Sequence, residues 1–142
     1  MSRSQVEALV TLLEGLTLTD SGLVGSPLSL ADAVRLVTPR DAVAPEEPPV
    51  CYLVVSGVDG GRAGIQGETR LTVEVLLHLR STAPAEAVLM GAEVLDQLTA
   101  ALLNAPGTVG HEVIPSGGRV VVDAERGRVA CYLVVTATTL RG

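Results

Sequence analysis

The residue types that could do nucleophilic, acid–base or metal chemistry are few in this chain. It has two cysteines, Cys51 and Cys131, and two histidines, His78 and His111. None of the four stands at a zinc-ligand spacing, and both cysteines lie inside apolar, strand-like runs rather than on turns. A catalytic nucleophile needs a base within reach, which this placement does not offer. We therefore expect buried, reduced thiols and no catalytic residue, metal ion or cofactor.

His78 and the adjacent Glu46 and Glu47 are the remaining candidates for acid–base work. His78 has Glu74 and Arg80 at even spacing on the polar side of its run, which favours a cross-strand hydrogen bond over catalysis. Glu46 and Glu47 follow one another on an extended, proline-flanked segment, so their carboxylates point apart, whereas an acid–base pair must converge. A solvated loop is expected there. An enzyme, in which a histidine meets a distant carboxylate, is kept as the third alternative.

Residues 59–67, DGGRAGIQG, form a glycine-rich stretch with four glycines. A phosphate-binding loop of the P-loop type requires a lysine and a following helix. This chain has no lysine, and the residues after the stretch alternate like a strand. The stretch is therefore predicted to be a flexible arm.

The sequence predicts two helices. Ser4 and Glu7 fit a capping box and predict a helix over residues 4–16. A second helix is predicted over residues 84–103, with Thr82 as its cap and Pro84 in its first turn. The buried stripe expected for this second helix is Val88, Ala92, Leu95, Leu98 and Leu102.

Two long strands are predicted between the helices. Residues 50–58 are rich in β-branched side chains, which indicates a buried strand. Residues 70–80 alternate apolar and polar side chains, with Leu76 as the exception, which predicts one buried and one polar face. Before them, residues 30–37 fit either a short helix or a strand, and the prolines of residues 39–49 predict an extended, exposed connection.

Three more strands are predicted after the second helix, at residues 109–114, 119–123 and 128–138, joined by the turns PSGG and AERG. The pentapeptide CYLVV occurs at residues 51–55 and again at residues 131–135. Because the flanking sequences differ, two strands of one sheet are favoured over a duplicated unit.

Length indicates one domain over residues 1–142, and the order of the predicted elements indicates the α+β class with a single, mostly antiparallel sheet. Hydrophobic residues make up 47%, but Phe and Trp are absent, so the core must consist of Val, Leu and Ala. The formal net charge of −6 argues against a nucleic-acid-binding protein. No apolar run approaches the roughly 20 residues of a membrane span, and we expect a soluble, cytoplasmic protein.

Residues 49–103 carry a resemblance to a known family. Their segments are PPVCYLVVSG, the strand LTVEVLLHLRS and the helix AEAVLMGAEVLDQLTAALL, preceded by the capped first helix and the proline-rich connection. In this order the chain resembles the tail terminator and head–tail joining proteins of siphophages, including the lambda-type tail terminator.

The resemblance implies a structural virion protein whose domain is a small sheet with the two main helices packed on one face. Subunits of that family close into a hexameric ring that caps the tail tube, ends its polymerisation and joins the tail to the head. The implied partners are further copies of the chain, the tail tube protein and a head-completion or neck protein, in the tail–neck region of a virion assembled in the host cytoplasm. Viral DNA would pass through the ring without specific binding, repelled by copies that each carry a formal charge of −6.

In the family, the first strand–loop–strand unit contacts ring or tube neighbours, which corresponds here to residues 58–70. Together with the acidic, proline-rich segment, it supplies the interface candidates Glu46, Glu47, Asp59, Arg62, Glu68 and Arg70. Two alternatives stay open. One is another neck or head–tail connector subunit; the other is a small, dimeric ligand-binding α+β module, which would need a defined apolar pocket.

Overall fold

A computed structural model of the protein describes residues 2–38, 46–59, 68–104 and 112–140. It contains two α-helices, seven strands and a short 3₁₀ turn at Pro84–Glu86. In chain order the helices and strands are α1 (Ser2–Glu14), β1 (Thr17–Leu18), β2 (Leu28–Ser29), β3 (Val34–Leu36), β4 (Val50–Asp59), β5 (Glu68–Arg80), α2 (Ala87–Leu103), β6 (Glu112–Asp123) and β7 (Arg128–Leu140).

The main sheet has five strands in the order β3-β4-β5-β7-β6, and every neighbouring pair except β3–β4 is antiparallel. The predicted α+β class and mostly antiparallel sheet are confirmed. The prediction of a single sheet is wrong, because β1 and β2 form a separate two-stranded sheet. Strands of two residues each are too short to leave an alternation pattern in the sequence.

The main sheet has an inner face under the helices and an outer face on the opposite side. On β5 the predicted alternation is confirmed, since Leu71, Val73, Val75, Leu77 and Leu79 are all buried. These residues join side chains of both helices in one core cluster, including Leu9 of α1 and Leu98 of α2. One core therefore holds the sheet and both helices together.

The repeated CYLVV pentapeptides lie on the two strands that flank β5. Leu77 of β5 pairs with Cys51 of β4 on one side and with Cys131 of β7 on the other. The two segments are thus strands of one sheet, as predicted, and they occupy equivalent levels on either side of its central strand.

The predicted caps of both helices are wrong. Helix α1 begins at Ser2, so Ser4 lies inside it rather than at its N-cap. The second helix is preceded by the 3₁₀ turn, which Pro84 opens as predicted, but no side chain caps either that turn or α2. The Thr82 hydroxyl instead donates a hydrogen bond to the Gly22 carbonyl, because residue 22 passes beside the start of the turn.

Helix α2 has the predicted extent, but part of its predicted buried stripe is wrong. Leu98 and Leu102 are buried and Leu95 packs against the core, whereas Val88 is 60% exposed and Ala92 is also exposed. The core side begins with Ala87, Met90, Gly91 and Val94 instead. Because α2 is apolar around most of its circumference, the spacing of apolar residues fits more than one orientation.

Strand β6 replaces two of the three predicted late strands. Residues 112–123 form one continuous strand, and PSGG is an irregularity in the ladder between Ser116 and Arg119 rather than a turn. Gly117 has φ +64, which glycine adopts without strain and which allows an extra residue in the ladder. The AERG turn between β6 and β7 is confirmed, with Gly127 at φ 62.

The open choice for residues 30–37 resolves as a strand, because β3 pairs with β4. Within the predicted exposed connection, Pro48 is buried. His111, residues 39–45, most of the glycine-rich stretch and the start of the predicted strand at 109–114 lie outside the described residues. Among the helices that the structure describes, none is long and apolar enough to cross a membrane.

Candidate assembly surfaces

The predicted interface residues separate into two groups at opposite ends of the strands. Glu46 and Glu47 lie just before the start of β4, and Asp59 ends that strand opposite Arg70 of β5. The ten-residue strand β4 runs from one group to the other, a distance of roughly 30 Å. The sequence therefore pointed to two places, not to one site.

Of the other two candidates, the structure describes the backbone of only one. Glu68 is the first residue of β5, and its backbone pairs with Leu140 of β7. Arg62 lies outside the described residues.

The acidic-proline segment, residues 46–49, is held against the sheet by its own chain. The Glu47 carboxylate pairs with Arg80 of β5 and lies 3.4 Å from Nη2 of Arg128 on β7. The Glu46 carboxylate lies 3.4 Å from Nε of Arg35 on β3. The two adjacent carboxylates thus point to different strands, as expected for an extended segment. Because both are mostly solvent-exposed, each ion pair contributes less than about 1 kcal/mol.

His78 lies on the outer face beneath this segment. Its ring meets the Tyr52 ring edge to face, with centroids 5.8 Å apart, and the Tyr52 hydroxyl accepts a hydrogen bond from the Glu46 backbone N–H at 2.6 Å. The Nε2 atom of His78 is buried and has no hydrogen-bond partner among the described residues, so the predicted cross-strand hydrogen bond is not found at this atom. Burial, and then the positive charge of Arg128, lower the pKa of His78 and favour its neutral form.

The two cysteines lie on the inner face and are buried, as predicted. Burial raises the pKa of both thiols to about 12, with a smaller contribution to Cys51 from Cys131. The Cys131 thiol donates a hydrogen bond to the Gly91 carbonyl of α2 at 3.5 Å. Protonated thiols in the core are poor nucleophiles and poor metal ligands, and these two contribute to packing.

A row of large side chains crosses the outer face at the middle of the sheet. In register it runs Tyr52, Leu76, Tyr132 and Arg119 across β4, β5, β7 and β6. The Tyr132 hydroxyl donates to Oε1 of Glu74 at 2.7 Å, which raises the Tyr132 pKa, and the Arg119 guanidinium lies 5.2 Å from the centre of the Tyr132 ring. Leu76, the exception in the alternation of β5, therefore lies between the two tyrosines of this row on the outer face.

Beside this row, β6 exposes two large apolar side chains. Ile114 is 48% exposed and Val121 is 53% exposed, and both share the outer face with Arg119. We name Ile114, Arg119, Val121 and Tyr132 the outer patch. It combines apolar contact area with a cation stacked on an aromatic ring.

A second exposed apolar surface lies on α2, on the other side of the molecule. Val88, Leu89 and Leu103 are 60%, 67% and 61% exposed, and Glu93 and Asp96 are exposed between them. We name these five residues the α2 stripe. Val88 and Leu89 are adjacent at the start of the helix, and Leu103 lies about 21 Å away at its end. Exposed apolar surface of this kind is a candidate for protein interaction.

Neither surface was among the predicted interface residues. A signal for the α2 stripe was present, because a helix that is apolar on all sides is normally covered on all sides. The outer patch had no signal in the sequence, since its members come together only through the pairing of β6 with β7.

Among the clefts of the described residues, one lies between the 3₁₀ turn and the loop after β1, and another, of about 240 Å³, is lined by Ser29, Ala31, Asp32, Ala33 and Pro49. The first measures about 180 Å³ and is lined by Asp20, Gly22, Glu86, Met90 and Glu93, among others. Pockets for drug-sized ligands usually measure roughly 300–1,000 Å³. Among the described residues, no group of three or more His, Cys, Asp and Glu side chains is arranged to hold a metal ion. The first cleft is therefore small and acidic, unlike a typical cofactor pocket.

The exposed surfaces thus favour contacts with other proteins over the binding of a small molecule. Comparison with known protein families finds no match to this chain, and comparison with curated proteins finds none either.

Proposed function

We propose that this protein is a structural subunit that works in a ring, as the tail terminator of a siphophage. Large apolar side chains are exposed on both outer layers of the fold, on the α2 stripe and on the outer patch. This is the observation that carries the proposal, because a subunit whose two outer layers both remain unburied needs a neighbour on each side. The resemblance over residues 49–103 supplies the specific assembly.

The properties of the two thiols, of His78 and of the outer-face charges are consistent with a structural role. The thiols are buried in the core with their pKa raised to about 12, and the pKa of His78 is lowered. The outer-face charges are used in intramolecular contacts, such as the pairing of Glu47 with Arg80 and Arg128. These groups stabilise and position strands.

The two groups of interface candidates suit a subunit that contacts different partners at its two ends. Glu47 lies at one end of the strands and Asp59 at the other, roughly 30 Å away. A terminator must contact the tail tube on one side and the neck on the other. We therefore assign one group of strand-end charges to the tube and the other to the neck.

The test is whether the protein stops growth of the tail tube. Purified tube protein is polymerised with and without this chain, and tube lengths and end caps are recorded by negative-stain electron microscopy. We expect shorter tubes with a ring at one end, in proportion to the amount of protein added. Unchanged tube lengths, with no density at either end, would contradict the terminator function.

Two matched variants test the assignment of the strand ends. Glu47→Gln and Asp59→Asn each remove one exposed negative charge without changing side-chain size. We expect one of them to weaken capping at least about tenfold, as charge pairs at interfaces do, and the other to leave capping unchanged. Equal behaviour of both variants and the unmodified protein would show that neither end contacts the tube through these charges.

The same experiment separates the alternatives. A neck or connector subunit would form a ring but would bind neck protein and leave tube length unchanged. A ligand-binding module would stay a monomer or dimer whether or not tube protein is present.

A further inference from the structure

The main sheet ends at β6, and in the described part of the chain no strand lies on the far side of β6. A strand at the edge of a sheet presents backbone N–H and C=O groups that a further strand can pair with. On the inner face, Val120 and Val122 of β6 are only half-buried. Their cross-strand neighbours on β7, Cys131 and Val129, are buried. The edge of the sheet therefore leaves apolar side chains of the inner face partly uncovered.

The two halves of β6 differ in their capacity to pair. In the first half, Pro115 has no N–H to donate, and the ladder is irregular between Ser116 and Arg119. Proline and bulges protect edge strands from pairing with other chains. The second half, residues 119–123, has the sequence RVVVD and pairs with β7 without interruption. We name Arg119–Asp123 the open edge.

The side of α2 above the open edge is also uncovered. On the opposite side of this helix, the Gln97 amide donates to the Thr19 carbonyl at 2.7 Å and accepts from the Thr19 N–H at 3.0 Å. Thr19 belongs to the segment that follows α1, and α1 packs on β3 and β5, away from β6. Val88 and Ala92 lie roughly 140–180° around the helix from Gln97. Both are exposed, although the sequence predicted them to be buried.

The side chains of the open edge are complementary to a second copy of the same edge. Arg119, Val121 and Asp123 share the outer face, with the valine midway between a cation and an anion. In an antiparallel pair with a two-fold axis at Val121, each Arg119 stands opposite the Asp123 of the other copy. Directly opposed side chains of opposite charge stabilise a strand pair. Arg126 lies 3.8 Å from the Asp123 carboxylate, but both side chains are exposed, and a carboxylate can accept further hydrogen bonds.

The positions of the helices fit the same arrangement. A two-fold axis perpendicular to the sheet keeps both α2 helices on the inner side of the joined sheet. Gly91 lies against Val120 of β6 and Val129 of β7, so α2 runs above the space between these strands. With strands about 4.8 Å apart, the axes of the two helices would be roughly 10 Å apart. Packed helices are separated by about 8–10 Å, and the exposed Val88 and Ala92 would lie between them.

We infer that two copies of this chain pair through their open edges, antiparallel and centred on Val121, which joins their five-stranded sheets into one. The inference goes beyond the proposed function and does not depend on it, because a two-fold contact is closed and neither requires nor builds a ring. The pair is the form expected of the protein in the absence of tube protein.

Exchanging the two charges tests the register. Arg119→Asp would oppose carboxylates across the axis, and Asp123→Arg would oppose guanidinium groups. Each variant alone should raise the dissociation constant of the dimer at least about tenfold, because two cross-strand pairs change from opposite to like charge. An equimolar mixture should recover heterodimers close to the unmodified affinity, since every carboxylate then stands opposite a guanidinium. Sedimentation equilibrium without tube protein measures the affinities, and circular dichroism checks that each full-length variant is folded.

A second pair of variants tests the centre of the contact. Val121→Lys would place two ammonium groups at the axis, and it should be monomeric at concentrations where the unmodified protein is dimeric. Ile114→Lys is the matched control. It changes the same strand and the same face at a side chain that is 48% exposed, compared with 53% for Val121, and it lies beyond the irregularity. This variant should dimerise like the unmodified protein.

A mixture of Arg119→Asp and Asp123→Arg that associates no more tightly than either variant alone would overturn the inference. Equal dimerisation of Val121→Lys and Ile114→Lys would overturn it as well, and so would an unmodified protein that is monomeric at every concentration. The tube assay is independent of these outcomes. Dimers with the expected variant behaviour but no effect on tube growth would leave the open-edge contact standing and remove the terminator function. Tube capping by a protein that is monomeric in solution would do the reverse.

Discussion

His78 shows how one residue on the outer face couples folding to pH. Its Nε2 atom is buried without a partner among the described residues, and Arg128 lies close enough to disfavour a second positive charge. Both effects lower its pKa below the ordinary value of 6.5. In the unfolded chain the imidazole regains water and its ordinary pKa.

The free energy of unfolding is therefore expected to fall as the pH decreases. At a pH above the ordinary pKa, His78 is neutral in both the folded and the unfolded state, and protonation does not reduce the free energy of unfolding. As the pH falls through about 6.5, the unfolded state binds the proton first, so the free energy of unfolding decreases between that value and the lowered pKa of the folded state. Urea unfolding at a series of pH values between about 7.5 and 5.5 measures this slope.

His78→Gln should reduce the slope, and His111→Gln, the other histidine, serves as the matched control. If the slope persisted unchanged in His78→Gln but disappeared in His111→Gln, the pH dependence would come from His111, which would contradict the prediction.

At the scale of elements, Gly91 sets how α2 lies on the sheet. A Cβ atom at this position would stand 2.5 Å from Cγ1 of Val120 on β6 and 3.0 Å from Cγ1 of Val129 on β7. The missing side chain lets the helix approach these two strands closely. The orientation that results places Val88 and Leu89 outside, where they form part of the α2 stripe.

Gly91→Val is expected to lower the free energy of unfolding by about 2–3 kcal/mol, because added carbons overlap with a packed core that cannot yield freely. Ala92→Val is the matched control, since it introduces the same side chain at the next, exposed position of the same helix. Its cost should stay below about 0.7 kcal/mol, the loss of helix propensity. Denaturant unfolding at low protein concentration compares the two. Similar small costs at both positions would show that α2 does not approach the sheet at Gly91.

On the scale of the whole molecule, one core joins both helices and the main sheet. Leu9 and Leu13 of α1 and Leu98 and Leu102 of α2 belong to the same buried cluster as β5. Removing one layer would expose the apolar side of the other. We therefore expect the described residues to unfold as one cooperative unit.

Thermal unfolding should be a single transition in every signal. The far-ultraviolet circular dichroism reports the helices, and tyrosine fluorescence reports β4 and β7, because Tyr52 and Tyr132 lie on these strands and the chain has no tryptophan. The midpoints should coincide. A tyrosine signal that changes well before the helical signal would show that the helices and the sheet are separate units.

The sequence by itself determined the elements whose signal is local. The alternation of β5 predicted both the strand and its buried side, and the apolar runs predicted β4 and α2. Local signals suffice here for two reasons. Side-chain direction repeats every two residues in a strand. Proline suits the first position of a helical turn, which is where Pro84 lies. The strand-end charges Glu47 and Asp59 were also visible, although not the distance between them.

Tertiary structure alone decided which surfaces remained outside. The orientation of α2 depends on Gly91 meeting Val120 and Val129, which are more than 25 residues away in sequence. The outer patch depends on the register of β6 against β7, including the irregularity at PSGG. Both are contacts between distant segments, so no local period in the sequence records them. For this protein the elements and the strand-end charges were predictable, and the exposed apolar surfaces were not.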